Sequence, residues 1–73
     1  LSAGQPESAI LSQREREVLT WIAKGKSNTD IAAILSISPE TVATYKRRIY
    51  AKLECHDRIG AVVKALKLRL ISL

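Results

Sequence analysis

Aromatic side chains are scarce in this chain of 73 residues: Trp21, Tyr45 and Tyr50 are all of them, and phenylalanine and methionine are absent. So few rings offer no stacking platform for single-stranded nucleic acid and little with which to line a large ligand cavity. Cys55 is the sole cysteine, which excludes an internal disulfide. Zinc held by a cysteine pair is excluded as well, since His56 is the only other soft ligand beside it, and no metal or cofactor is expected. This cysteine usage fits a reducing, cytoplasmic compartment. No apolar run approaches the ~20 residues needed to span a bilayer. Leu1 to Ile10 has neither the basic start nor the apolar centre of a secretory signal, so no membrane partner is expected. Position 1 is not Met, which fits an excised domain and a chain that has lost its initiator equally.

What the chain does have is positive charge and enough apolar residues for one core. Its formal charge is +5, and on a small folded unit that favours a polyanionic partner: DNA, RNA or an anionic membrane. Hydrophobic residues make up 47% of it, too many for a disordered tail. The length allows a single domain with a modest core.

Residues 1–10, with Gly4 and Pro6 among small polar neighbours, read as a linker or disordered N-terminal tail. Four helix signals follow over 11–73. Ser12 with Glu15 three positions on is a capping box; Val18, Leu19 and Ile22 follow at helical spacing, and Gly25 supplies a left-handed stop. Ser27 opens a short second helix at about 28–35 through Ile31, Ala32 and Leu35. After Ser36-Ile37-Ser38, Ser38 caps a third helix at about 39–53 with Pro39 in its first position, where a missing N–H costs nothing. Asp57 caps a fourth at about 57–68. No segment keeps a period of two, so the expected fold class is all-α.

Two helices joined by about three residues must cross steeply, which pushes the second one outward: a helix-turn-helix. Small Ala32 allows close approach, and Ile37 plugs the turn. Wound at about 100° per residue, the third helix places Val42, Tyr45, Ile49 and Leu53 on a core stripe. Glu40, Ala43, Thr44, Arg47, Arg48 and Ala51 share the opposite face. Small residues there let the backbone enter a groove, and long basic ones reach bases and phosphates. Lys46 and Lys52 flank that face.

The stretches Leu11-Ser12-Gln13-Arg14-Glu15-Arg16-Glu17-Val18-Leu19, Ile22-Ala23-Lys24-Gly25-Lys26-Ser27-Asn28, Ile31-Ala32, Ile37-Ser38-Pro39-Glu40-Thr41-Val42 and Lys52-Leu53 together resemble the LuxR-type DNA-binding domain of bacterial transcription regulators. That group includes NarL/FixJ-type response regulators and autoinducer receptors. The resemblance covers Leu11 to about Ile71. It implies a four-helix domain whose third helix reads the major groove of double-stranded DNA and whose fourth helps form a homodimer on a roughly palindromic site. It also implies base contacts from Ala43 and Arg47, and phosphate contacts from Thr41, from the third helix, and from Asn28 and Thr29. The chain departs from the family's pattern at four positions. Ala43 stands where Lys is common and suits a thymine methyl. Tyr45 stands where His is frequent, Lys46 where an apolar residue is usual, and Glu54 where Gly or Asn follows Lys-Leu.

Arg47 is the first candidate for a base contact, because a guanidinium forks onto guanine O6 and N7. Thr44 is a second. Arg48 and Lys46 are phosphate candidates. Lys52 is either a third or a partner for Glu15 that holds the first helix to the third. On the fourth helix, Ile59, Val62, Val63 and Leu66 form one apolar stripe and Ala61, Ala65 and Leu68 another. A helix apolar on both sides is usually covered on both. The second stripe is therefore the expected dimer interface.

Trp21, Cys55 and His56 are expected to do no chemistry. No paired-carboxylate cleft, nucleophile constellation or phosphate loop is present, so an enzyme is not expected. Two other readings of the same turn remain: a sigma-factor-like promoter-recognition module working with RNA polymerase, and a helix-turn-helix protein-interaction module.

Overall fold

The computed structural model describes residues 11–72 of the chain. The tail expected at 1–10 lies outside them. The described residues form four helices and no strand: α1 (Gln13–Ala23), α2 (Asn28–Leu35), α3 (Pro39–Leu53) and α4 (Arg58–Lys67).

Each helix begins where a short polar side chain takes a free N–H of the first turn. Ser12, Ser27, Ser38 and Asp57 are the four N-caps, and each side chain accepts from the backbone N–H three residues later. At α1 the box is reciprocal, for Ser12 N–H donates to Glu15 Oε1 over 2.8 Å. Such a cap contributes roughly 1 kcal/mol.

The helix ends follow one pattern as well. A residue of positive φ comes after each: Gly25 (87°), Ser36 (59°), Glu54 (56°) and Arg69 (59°). The residue after it then donates back across the last turn. Lys26 N–H reaches Trp21 O, Ile37 reaches Ala32 O, Cys55 reaches Tyr50 O and Leu70 reaches Ala65 O, all within 2.8–3.1 Å. These Schellman closures satisfy carbonyls that would otherwise be orphaned. They also turn the apolar residues Ile37 and Leu70 back onto the core.

The core is built around α3, which packs against the other three helices. Val18, Leu19 and Ile22 from α1, Ile31 and Ala32 from α2, and Val42, Ile49 and Leu53 from α3 are all buried. Leu70 and Ile71, beyond the last helix, are buried too. They lie along Gln13, Arg16 and Thr20 of α1. This return of the chain is not visible in the helical pattern, because two apolar residues outside a periodic segment have no phase.

The fourth helix corrects an expectation. Ala61 and Ala65, assigned to a dimer interface, are fully buried in the domain's own core, and Leu68 is half-buried against it. The other stripe divides: Val62 and Leu66 pack half-buried against the core, while Ile59 and Val63 face outward at 74% and 44% exposure. Alanines face inward because α4 must lie across both α1 and α3, and short side chains permit that close approach.

Candidate nucleic-acid interface

Three residues, Ser36 to Ser38, join α2 to α3. Left-handed Ser36 reverses the chain, Ile37 packs on the core, and Ser38 caps α3. With Val42, Ile49 and Leu53 buried, the opposite side of α3 faces out. Arg47, Arg48 and Ala51 on it are exposed, and Ala43 and Thr44 are partly so.

Neither arginine has a carboxylate partner among the described residues, whose two ion pairs are Arg14–Glu17 and Lys52–Glu15. Arg47 donates to Thr44 Oγ1 at 3.2 Å, and Thr44 donates in turn to Glu40 O at 3.1 Å. The threonine hydroxyl thus steers the guanidinium along the outer face. Arg48 lies 6.0 Å from the centre of the Tyr45 ring, a distance at the outer limit of a cation–π contact. Two cations outside any ion pair among the described residues outweigh the single carboxylate of Glu40 on this face and raise the potential over it.

The flanking residues divide. At the start of α3, Thr41 is exposed, and its hydroxyl lies 2.8 Å from that of Ser38. Thr29 is exposed and Asn28 half-buried at the start of α2. Lys46 Nζ donates to Asn28 Oδ1 at 2.9 Å and so ties α3 to α2.

Lys52 takes up the other of its two expected roles, the pairing that holds α1 to α3. Its ammonium sits on Glu15 at 2.8 Å and 3.1 Å from the two oxygens. Glu15 is only 3% exposed, and a carboxylate that enclosed needs a cation beside it. Burial alone pushes the Glu15 carboxyl up. The Lys52 hydrogen bond, the Ser12 backbone N–H and the ammonium's charge outweigh it, and the carboxyl titrates below its ordinary range.

Sequence reasoning missed Arg58, whose Nη2 donates to Ile22 O at 3.1 Å and caps the end of α1 from α4. The two residues are 36 positions apart, so no local pattern reveals the pair. Tyr50 nearby has its phenol pushed up by burial, with Arg58 opposing and Asp57 adding to the shift. Cys55 Sγ bonds to Leu53 O in the turn, and His56 is exposed. Among the described residues no three His, Cys, Asp or Glu side chains gather as metal ligands would. No helix there is long and apolar enough to cross a membrane.

Residues 9–65 match the family described as bacterial regulatory proteins, luxR family. The chain belongs to that family. It is 48% identical over 67 residues to a probable transcriptional regulatory protein NarL of Mycobacterium tuberculosis, covering 92% of this chain and 31% of that protein. It is 52% identical over 60 residues to an uncharacterized transcriptional regulatory protein YhcZ of Bacillus subtilis, covering 82% of this chain and 28% of that protein. It is 42% identical over 66 residues to an HTH-type quorum sensing-dependent transcriptional regulator VjbR of Brucella ovis, covering 90% of this chain and 26% of that protein. The chain spans under a third of the length of these curated relatives. Membership of a luxR family of transcriptional regulators implies DNA binding and not catalysis. It favours the regulator over the sigma-like and protein-interaction readings.

Proposed function

We propose that this luxR-family domain binds duplex DNA sequence-specifically, with α3 in the major groove, as the cytoplasmic output domain of a longer transcription regulator. The observation that carries the reading is the outer face of α3. Arg47 and Arg48 stand there outside any ion pair among the described residues, beside the small residues Ala43, Thr44 and Ala51 and opposite a buried stripe. The major groove admits a helix, and small residues allow its backbone to approach.

Arg47 is the base reader, forked onto guanine O6 and N7 and steered by Thr44. Ala43 meets a thymine methyl, and the Thr44 hydroxyl keeps one lone pair for a base-edge donor. Arg48, Thr41, Thr29, Asn28 and Lys46 contact phosphates and set the register. The domain acts as a homodimer on a pseudo-palindromic site through the outward face of α4, where Ile59 and Val63 are exposed.

Selection of bound duplexes from a random pool tests this. The expected outcome is one enriched site with approximate two-fold symmetry. Arg47→Ala relaxes one position per half-site, a loss of about 1–3 kcal/mol of discrimination, while Arg48→Ala weakens all sequences alike. A pool without an enriched motif would overturn the reading.

A further inference from the structure

Lys46 reaches from α3 to the first turn of α2 and donates from Nζ to Asn28 Oδ1 over 2.9 Å. Both residues are half-buried. An ammonium has three donors and no acceptor, so a carboxamide that faces it must present its oxygen. The amide NH2 of Asn28 is then turned the other way. Its oxygen's bond to Lys46 is the only side-chain hydrogen bond that Asn28 makes among the described residues.

We propose that Lys46 is a positioning residue for DNA binding: it locks Asn28 in the donor orientation, and the two engage one backbone phosphate as a single unit that has only donors to offer. The inference rests on duplex binding through α3 as proposed above. A phosphodiester presents acceptors alone, whereas base edges mix donors with acceptors. The pair therefore suits the backbone and not the bases. Without Lys46 the carboxamide turns freely, and in one of its two orientations oxygen meets phosphate oxygen.

The test is duplex affinity of the whole chain over a salt series, for wild type, Lys46→Met, Asn28→Ala, their combination, and Lys46→Gln. Lys46→Met is expected to weaken binding about tenfold on every sequence alike, and to reduce the slope of log affinity against log salt by about 0.9. Asn28→Ala is expected to cost about fivefold alone but under about twofold on top of Lys46→Met. Lys46→Gln carries no charge and brings an acceptor as well as donors, so it no longer dictates the carboxamide's orientation. Asn28→Ala on top of it is again expected to cost under about twofold, with the slope reduced as in Lys46→Met, whereas a merely structural Lys46 would leave the slope unchanged. Costs that simply multiply in the double variant overturn the proposal, as does unchanged affinity in Lys46→Met. If wild type itself fails to bind duplex DNA, the functional reading falls and this inference falls with it. Multiplying costs in a wild type that binds remove the inference alone.

Discussion

Glu15 takes the Ser12 backbone N–H on one oxygen and the Lys52 ammonium on both. One side chain therefore starts α1 and fastens it to the far end of α3. Because its carboxyl titrates below the ordinary range when folded, the stability it lends is present above the unfolded-state value. That stability is lost as pH falls through the folded value. Glu15→Gln keeps an acceptor for Ser12 but loses the charge, and is expected to cost about 1–2 kcal/mol at neutral pH. Melting temperatures from pH 7 downward should show the wild type falling toward the variant and meeting it in acid. Parallel curves would contradict the role given to the carboxylate.

Among the elements, the ends of the helices show where local chemistry and global geometry pull apart. Gly25 adopts its left-handed conformation without strain, but Ser36, Glu54 and Arg69 do so with a Cβ. Glu54 adds an exposed negative charge at the C-terminus of α3, the end of a helix that favours cations. Glu54→Gly removes both penalties, against the larger backbone freedom of glycine when unfolded. The expected net gain is about 1 kcal/mol, a rise of roughly 4–8 °C in Tm for a domain of this size. An unchanged or lowered Tm by calorimetry would count against the strain. The N-caps were all legible in the sequence, because Ser12, Ser27, Ser38 and Asp57 act on N–H groups three residues away. The outward face of α3 was legible for a related reason: its core stripe is apolar and its other side is not. On α4 both stripes are apolar, and periodicity gives their phase but not which one turns inward. Close approach to α1 and α3 decided for Ala61 and Ala65. The contacts Arg58–Ile22, Lys46–Asn28 and Leu70 on α1 depend on how the helices are assembled, and no local pattern encodes them.

At the scale of the whole molecule, the packing sets α3 against three neighbours while leaving one side of it bare. Arg47 and Arg48, without ion-pair partners among the described residues, gather on that side, and the carboxylate nearest the core, Glu15, is neutralised by Lys52, one turn beyond Arg48 on α3. Charge and shape thus point the same face at a polyanion. The most direct test of groove insertion is methylation interference with dimethyl sulfate on the selected site. This reagent marks guanine at N7, in the major groove, and adenine at N3, in the minor groove. The account predicts that N7 methylation of one guanine per half-site blocks wild-type binding, that Arg47→Ala no longer senses that methyl group, and that adenine N3 methylation beneath α3 has no effect. Interference at adenine N3 with none at guanine N7 would contradict it.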